Sequence, residues 1–334
     1  MGQRRSMGCL DKQSMRILIT GGFGFVGGRL AVHLAQSGHQ IILGSRKARS
    51  SPDWLPQAKV VQIDWDDAHS LEQLCGAVDT LIHAAGVNAQ DCTADPVAAL
   101  EFNGVATTRL VQAANRAGVK RFIYLSTAHV YASPLVGAIH EATCPRNLHP
   151  YATSHLSGEQ AVLSANERCQ IQSIVLRLSN AFGAPVHKDV NCWMLLVNDL
   201  CRQVVETGQM VLHTSGLQQR DFVSMTKVCR VTEFLISDNG KTDQSGIFNV
   251  GAGMAETVLE MAQFIQQRCR ITLNFEPDLL RGKANANESH PAMIYLVDKL
   301  FDLGITANSD AESEIDNLLL FCESRFNQNQ RNST

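Results

Sequence analysis

The chain has 334 residues, with 29 lysines and arginines against 32 aspartates and glutamates, so its formal net charge is −3 at pH 7. Hydrophobic residues make up 45% and charged residues 18% of the chain, which predicts a folded protein with a sizeable core and argues against disorder. The near-neutral balance supplies no basic surface for nucleic acid. We therefore expect no nucleic-acid partner, and anion binding only where charge is concentrated locally.

The ten cysteines are scattered along the chain, with no CxxC pair and no cysteine–histidine cluster of metal-ligand spacing. This pattern predicts reduced thiols, a cytosolic or cytoplasmic location and no metal site. No stretch approaches the ~20 apolar residues of a membrane span, so no membrane association is expected. Residues 1–14 are expected to be a disordered extension, with the folded chain beginning at Met15.

Short apolar runs alternate with longer amphipathic ones, which is typical of a parallel sheet flanked by helices. The sequence predicts strands at 16–20, 41–43, 60–63, 80–83, 122–125 and 174–176, and helices at 24–37, 96–117 and 151–167. After Asn180 it predicts helices at 190–206, 225–237, 255–267 and 310–322, and a returning strand at 247–250.

A glycine-rich loop follows the first predicted strand and opens the first predicted helix. Within this loop, at residues 20–27 (TGGFGFVG), Gly21, Gly24 and Gly27 are spaced by three residues. Such glycines let the backbone turn tightly and approach a pyrophosphate at a helix N-terminus. The loop predicts a dinucleotide site that includes Gly21, Phe23, Gly24, Phe25 and Val26.

The alternating elements and this loop together predict the fold class α/β. We expect a doubly wound parallel-sheet Rossmann fold over residues 15–180 as the dinucleotide-binding domain. Residues 181–334 are expected to form a smaller, interleaved α/β substrate-binding part, some of whose elements return to the Rossmann domain.

The end of the second predicted strand bears on the choice of cofactor. An NAD site usually has Asp or Glu there, about 20 residues after the glycines, to bind the ribose 2′-hydroxyl. This chain has Ser45, Arg46 and Lys47 instead, and a serine beside two cations can bind a 2′-phosphate. The sequence therefore favours NADP(H), with NAD(H) possible. The alternative is an ordinary solvated loop.

From about Arg16 to Gly304, several motifs follow the order found in the extended short-chain dehydrogenase/reductases. The chain resembles their NAD-dependent epimerase/dehydratase family of nucleotide-sugar enzymes, whose TGxxGxxG matches residues 20–27. The resemblance implies further cofactor-binding residues, namely Asp64, Ala84, Ala85, Gly86 and Asn103.

The same resemblance implies catalytic positions. Thr127 stands for the family's catalytic hydroxyl, and the family's YxxxK occurs as Tyr151-Ala152-Thr153-Ser154-His155. The tyrosine exchanges a proton with the substrate oxygen, and the lysine makes its phenolate accessible while holding the nicotinamide ribose. His155 shares a helix face with Tyr151 and can bind the ribose. Because it is largely neutral at pH 7, it is expected to lower the tyrosine pKa less. Three interpretations stay open: a working but altered enzyme, a weakened or non-catalytic cofactor binder, and a misaligned motif.

Four further residues are implied as substrate ligands. Asn180 is expected beside the sugar nucleotide, and Arg220 and Arg281 at its diphosphate. The alternatives are a carboxylate partner for Arg220 and a solvent-facing Arg281. His129 is either a sugar contact or a structural histidine, while Tyr131 is expected to pack in the interior.

The resemblance implies an NAD(P)-dependent nucleotide-sugar epimerase or ketoreductase, which transfers a hydride at a sugar hydroxyl or ketone of a nucleotide-diphosphate sugar. Two alternatives stay open: an NADPH-dependent reductase of a non-sugar carbonyl compound, and a catalytically weakened, cofactor-binding regulatory protein. A homodimer formed through the helices at 96–117 and 151–167 is typical of the family.

Overall fold

A computed structural model describes residues 14–168, 171–237, 244–283, 290–305 and 310–327. The extension expected at 1–14 lies, apart from Ser14, outside these residues, and so do Cys9 and Cys169. All eight cysteines within the described ranges are free thiols. In these same ranges, no helix is long and apolar enough to cross a membrane, and no group of His, Cys, Asp or Glu side chains is arranged to hold a metal ion.

The described residues contain fourteen strands. They are β1 (Arg16–Thr20), β2 (Gln40–Ser45), β3 (Lys59–Gln62), β4 (Thr80–His83), β5 (Arg121–Thr127), β6 (Gly137–Ile139), β7 (Gln172–Leu178), β8 (Asn180–Phe182), β9 (Gln209–Leu212), β10 (Gln219–Ser224), β11 (Gly246–Val250), β12 (Ala255–Thr257), β13 (Asp278–Arg281) and β14 (Met293–Tyr295). Seven of them form an all-parallel main sheet in the order β11-β7-β5-β4-β1-β2-β3. The predicted doubly wound Rossmann architecture is confirmed, since the strand order reverses beside β1.

The helices of the described ranges flank this sheet and fill the smaller part. They are α1 (Phe25–Gln36), α2 (Ala68–Cys75), α3 (Ala89–Ala94), α4 (Pro96–Leu100), α5 (Thr107–Arg116), α6 (Pro150–Glu167), α7 (Leu196–Thr207), α8 (Met225–Ile236), α9 (Val258–Thr272), α10 (Asp298–Asp302) and α11 (Ala311–Phe326).

The first strand shows how the main sheet is buried on both faces. Ile17 and Ile19 belong to the core that α1 and α8 cover. Leu18, which points to the opposite face, belongs to the core formed with α2, α5 and α6. Alternate side chains of one strand therefore enter two cores, which is why three successive residues at 17–19 are apolar.

The smaller part has a core of its own, to which α7, α9 and α11 contribute. Its strand β10 pairs in parallel with β8 and antiparallel with β12, and β9 pairs in parallel with β13. The chain returns to the main sheet at β11, which pairs with β7. The two parts are thus interleaved, and β7 ends at Leu178, just before the predicted boundary at residue 180.

The helix predicted over 96–117 differs from a regular α-helix. A π-helical segment, Glu101–Ala106, separates α4 from α5. It contains Asn103, which is buried; its Oδ1 accepts the Val87 N–H at 2.9 Å, and its Nδ2 donates to Ser154 Oγ at 3.0 Å. These two hydrogen bonds are made from within the π-helical segment. The hydrophobic pattern of the sequence, which repeats about every 3.6 residues, does not distinguish such a segment from a regular α-helix.

Two other predicted helices have different beginnings. The helix predicted at 190–206 is wrong over residues 190–195. Val190 and Cys192, two residues apart, are both buried, and the Trp193 indole donates a hydrogen bond to the Lys188 carbonyl at 2.8 Å. This segment is a loop, and α7 begins at Leu196. The helix predicted at 255–267 is wrong at its start, where 255–257 pairs with β10 as strand β12.

Candidate active site

A cleft of about 840 Å³ lies at the carboxyl ends of β1, β2, β4, β5 and β7, where the smaller part meets the main sheet. In an open α/β sheet this is where ligands bind. Most of the predicted site residues line it: Gly21, Phe23, Gly24, Phe25, Val26, Ser45, Arg46, Ala84, Ala85, Gly86, Thr127, His129, Tyr151, Asn180 and Arg220. Four predicted residues are outside its lining: Asp64, Asn103, His155 and Arg281.

The glycine loop forms one wall, and its glycines are required by close backbone contacts. Gly21 has φ +68°, and a Cβ there would lie 2.6 Å from the Ala85 nitrogen. A Cβ on Gly27 would lie 2.4 Å from the Gly21 carbonyl oxygen. Gly24 is the N-cap of α1 and has no side chain to cap it. The first amide hydrogens of α1 are therefore available to a phosphate, as a dinucleotide requires.

A group of cations lines the same end of the cleft. Ser45 ends β2, and Arg46, Lys47 and Arg49 follow it in the cleft wall. The Arg49 guanidinium carbon lies 4.8 Å from the centre of the Phe23 ring. The end of β2 therefore has no acidic side chain, and three cations lie there beside the glycine loop.

Asp64 lies between two cleft-lining residues, Ile63 and Trp65, without lining the cleft itself. Its side chain is exposed, and its Oδ1 accepts the Asp66 N–H at 3.0 Å. An adenine contact for Asp64 stays a prediction.

Tyr151 lies in the first turn of α6, opposite the end of β5. The His149 ring caps this helix by accepting the Tyr151 N–H at 3.2 Å. Burial raises the pKa of the Tyr151 phenol, and a hydrogen bond with the Thr127 hydroxyl offsets only part of that effect. The two predicted catalytic hydroxyls are therefore together in the cleft.

His155 is next to Tyr151 but lies beneath the cleft surface. The two ring centres are 4.6 Å apart at an angle of 70°, and His155 is only 7% exposed. Its Nδ1 is 3.0 Å from the Tyr124 hydroxyl, while its Cε1 and Nε2 adjoin Gly86 in the cleft wall. Burial lowers the pKa of His155 to about 4. The imidazole is therefore neutral at pH 7, where a lysine would carry a charge.

A buried row of hydroxyls and imidazoles continues behind His155. The Thr107 hydroxyl contacts both Tyr124 and the His83 Nε2, the latter at 2.9 Å. His83 Nδ1 in turn lies 2.6 Å from Thr20 Oγ1. Burial lowers the pKa of His83 to about 3, and His155 contributes to the lowering. The row holds both rings neutral and fixed in position.

A buried ion pair supports the other side of α6. Glu159 accepts a 2.6 Å bond from Arg177 and a 2.5 Å bond from Ser126 Oγ, which lines the cleft. Arg177 stacks 4.6 Å from the centre of the Tyr131 ring, and the Tyr131 hydroxyl donates to Asn249 Oδ1 at 2.7 Å. Tyr131 is thus buried in the interior, as expected.

The smaller part supplies the opposite wall of the cleft. Asn180 donates from Nδ2 to the Asp221 carbonyl at 2.9 Å, which ties β8 to β10. Arg220 is half-buried in this wall, and burial lowers its pKa. No carboxylate of the described residues lies within ion-pair distance of its guanidinium, whereas the adjacent Asp221 is occupied by Ser179 and the Ala252 and Gly253 amides. The alternative of a carboxylate partner for Arg220 therefore finds no support among the described residues.

His129 projects into the cleft from a 3₁₀ turn, Ala128–Val130. The cleft walls and the nearby charges of Arg220 and His149 lower its pKa. It is placed to contact a ligand that also contacts Arg220.

Arg281 is exposed at the end of β13, away from the cleft. The main chain here is fixed by the next residue, since Gly282 N–H donates to the Leu212 and Thr214 carbonyls. A diphosphate contact for Arg281 stays a prediction.

Several lining residues escaped sequence reasoning. Trp65 and Phe102 flank the cationic end, and Asn191 and Met194 come from the loop before α7. Arg49 belongs to the same basic run as Arg46, so it had a usable signal. Asn191 and Met194 could not be predicted as lining residues, because their segment was predicted to be helical.

The fold and this cleft define the chain as a dinucleotide-binding enzyme of the Rossmann type. The model of the NAD dependent epimerase/dehydratase family matches residues 17–251, and the chain belongs to that family. The resemblance seen in the sequence is thereby confirmed.

Relatives in this family act on nucleotide sugars. The dTDP-D-glucose 4,6-dehydratase of Bos taurus is 28% identical over 286 residues, covering 81% of this chain and 78% of the relative. The dTDP-6-deoxy-L-talose 4-dehydrogenase (NAD(P)(+)) of Kitasatospora kifunensis is 28% identical and covers 75% and 78% of the two chains.

Solved structures confirm the fold. The UDP-N-acetylglucosamine 4-epimerase of Methanobrevibacter ruminantium M1 has a TM-score of 0.78 at 19% identity, with 94% of this chain and 99% of that chain covered. The UDP-glucose 4-epimerase of Thermus thermophilus, in complex with NAD, has a TM-score of 0.76 at 20% identity, with coverages of 93% and 100%.

Proposed function

We propose that this protein is an NAD(P)-dependent nucleotide-sugar epimerase or ketoreductase, which transfers a hydride at a sugar hydroxyl or ketone. The observation that carries the proposal is one cleft that joins three features. They are the glycine loop at the helix N-terminus, the Thr127–Tyr151 pair, and a half-buried Arg220 that has no carboxylate partner among the described residues. The pyrophosphate of the cofactor, the reacting oxygen of the sugar and the diphosphate of the substrate each have a matching group in that cleft.

Each residue has a defined task in this proposal. The bound nicotinamide supplies or accepts the hydride. Tyr151 exchanges the proton with the sugar oxygen, and Thr127 donates a hydrogen bond to the same oxygen. Arg220 holds the diphosphate, with Asn180 beside it. His155, whose Nε2 adjoins Gly86, supports the ribose from below the cleft surface.

We further propose that NADP(H) is preferred over NAD(H). Support comes from Ser45, Arg46, Lys47 and Arg49 in the cleft wall, at the position where an NAD site places a carboxylate. The Arg46→Ala variant is expected to bind NADPH about tenfold more weakly, because a charge-assisted bond to phosphate is lost. Its affinity for NADH, the matched control, is expected to stay the same. Equal losses for both cofactors would contradict the preference.

The function is tested by binding and turnover. Thermal shifts are measured with NAD(H), NADP(H) and a panel of UDP-, GDP-, CDP- and dTDP-sugars, followed by turnover with the sugars that bind. Tyr151→Phe is expected to keep both binding signals and to lose turnover. Binding of the cofactor without any nucleotide sugar would favour the non-sugar carbonyl reductase, and biological activity that survives Tyr151→Phe would favour the regulatory protein.

A homodimer also stays a proposal. Support comes from apolar side chains exposed along the helices at 96–116, namely Val97 at 69%, Leu100 at 48% and Val105 at 44%. A second copy of the chain is the expected partner for this face. Sedimentation analysis is expected to show a dimer that dissociates in Leu100→Asp, and a monomeric parent protein would refute the proposal.

A further inference from the structure

His129 is a cleft residue whose ring makes no hydrogen bond in the described part of the chain. The residue is exposed and lines the cleft. Its main chain is fixed, because the His129 N–H donates to Thr127 Oγ1 at 3.1 Å and the His129 carbonyl accepts a 2.7 Å bond from Asn147 Nδ2. The imidazole is therefore held beside the cleft with both of its nitrogens available to a ligand.

A neighbouring histidine, His149, has both ring nitrogens occupied. Its Nδ1 accepts the Tyr151 N–H at 3.2 Å and so caps α6, and its Nε2 lies 3.0 Å from Thr93 Oγ1. The Thr93 hydroxyl donates to the Ala89 carbonyl at 2.9 Å, so it accepts the bond from Nε2–H of His149. A proton on Nδ1 would remove the acceptor that caps the helix. Of the two histidines, His129 is thus the one that can gain a proton without losing a bond.

The charges around His129 keep it neutral in the free protein. Burial in the cleft and the charge of Arg220 lower the pKa of the imidazole, which is therefore neutral at pH 7. The other titratable or charged groups on the elements around it are Asp91 of α3, Arg146 of the loop before α6, and His149, Tyr151 and His155 at the start of α6. An anion bound at Arg220 would cancel the positive charge that opposes protonation of His129 and add an attraction for a proton.

We propose that His129 takes up a proton from solvent when the diphosphate of a nucleotide sugar binds at Arg220, and then donates a hydrogen bond to that diphosphate. This proposal rests on the proposed function and adds a proton-coupled contact to its diphosphate site. A hydrogen bond from a charged imidazole to a phosphate oxygen is stronger than one from the neutral ring. The substrate is therefore bound more tightly as the pH is lowered towards 6, and no covalent bond of the substrate changes.

The expected size follows from the charge that the ligand brings. An opposite charge within about 4 to 6 Å favours the charged form of a group by about one to three pKa units. His129 starts below its ordinary value of 6.5, so the bound imidazole is expected to titrate near neutral pH. Uptake of about half a proton is then expected at about pH 6.5, with affinity about three- to tenfold higher at about pH 6 than at about pH 8. A diphosphate esterified at both ends has no proton that titrates in this range, so the ligand itself contributes nothing to the change.

The test is calorimetric titration of the full chain with UDP-glucose and dTDP-glucose in buffers of different ionisation enthalpy, which measures the protons taken up on binding. His129→Gln is expected to take up none, to bind within about twofold of wild type at about pH 8, and to lack the gain in affinity at about pH 6. His187→Gln is the matched control, because His187 is exposed in the loop before α7 and lies outside the cleft lining. This control is expected to keep the wild-type uptake.

A second measurement assigns the proton to its residue. The Cε1–H resonance of His129, identified by its absence from the spectrum of His129→Gln, is followed by NMR as the pH is changed. Its midpoint is expected to rise by at least about one pH unit when the protein is saturated with the sugar nucleotide.

Binding of a nucleotide sugar without proton uptake, or uptake that persists in His129→Gln, would overturn the proposal. If His129→Gln does not fold, the uptake by wild type and His187→Gln still decides the matter, since its absence refutes the proposal. Failure of the proposed function is distinguishable, because in that case neither sugar nucleotide binds at any pH, and both proposals are then refuted together.

Discussion

Arg220 provides the sharpest test of substrate binding. Its guanidinium is half-buried in the cleft wall, burial lowers its pKa, and no carboxylate of the described residues pairs with it. Burial removes part of the hydration that stabilises the charge of Arg220, and no neighbouring carboxylate replaces it. An anionic ligand would supply the missing stabilisation. The perturbation is Arg220→Ala, with Arg220→Lys to separate charge from the two-pronged guanidinium geometry.

The expected magnitude follows from the bonds that are lost. A hydrogen bond to a charged group contributes about 1.5 to 3 kcal/mol, and the neighbouring Asn180 remains to hold the ligand in part. A loss of about 2 to 3 kcal/mol corresponds to a dissociation constant raised about 30- to 150-fold. Arg220→Lys keeps the charge and is expected to lose about tenfold in affinity. The free protein is expected to keep its stability, because no ion pair among the described residues is broken.

The assay is calorimetric titration with UDP-glucose and dTDP-glucose, together with uridine as a ligand that has no diphosphate. Uridine binding is expected to be the same in all variants. Arg281→Ala is measured in parallel and is expected to change affinity less than about twofold, since an exposed charge contributes little. Unchanged affinity for both sugar nucleotides in Arg220→Ala would refute the assignment, and an equal loss in Arg281→Ala would establish the predicted pair.

Three further predictions concern stability and cofactor binding. Burial lowers the pKa of His83 to about 3 and of His155 to about 4, so below about pH 6.5 the unfolded chain binds protons that the folded chain does not. The free energy of unfolding is therefore expected to decrease as the pH is lowered from about 7, and to be about 5 kcal/mol smaller at about pH 4.5. Urea unfolding at a series of pH values measures this decrease, and a free energy that does not change with pH would contradict it. Glu159→Ala leaves Arg177 buried and unpaired and is expected to cost about 3 to 5 kcal/mol, whereas replacing both by apolar residues restores most of the stability. Gly27→Ala forces a Cβ against the loop backbone and is expected to abolish the thermal shift with either cofactor while the protein stays folded by circular dichroism.

Much of the main sheet could be predicted because its strands are determined by local pattern. The runs at 16–20 and 80–83 have apolar residues at 17–19 and 81–82, and both strands have the predicted bounds in the structure. The helix at 151–167 was predicted within one residue, and Pro150 stands in its first turn, where proline is favoured. The short strands of the smaller part were not predicted, because β8, β12 and β13 have only three or four residues and depend on partners far along the chain.

The site residues show the same difference between features that depend on local sequence and features that depend on distant contacts. Gly21, Gly24 and Tyr151 lie in motifs whose chemistry is readable over a few residues, and all three line the cleft. The hydrogen bond between Tyr124 and His155 joins positions 31 residues apart, so a local sequence pattern cannot predict it. The loop that places Asn191 in the cleft wall was predicted as helix, because its residues are compatible with one.

The distribution of charge connects these observations. The chain carries a net charge of −3, so its attraction for anions comes from the two cationic ends of one cleft. Those ends are separated by the Thr127–Tyr151 hydroxyls, which line the cleft, and by the neutral His155 beneath them. A central cation would favour the phenolate form of Tyr151 and hence the removal of a proton from an alcohol. A neutral centre favours the phenol, so a histidine at the lysine position of the YxxxK pattern is expected to keep Tyr151 protonated to a higher pH than a lysine would.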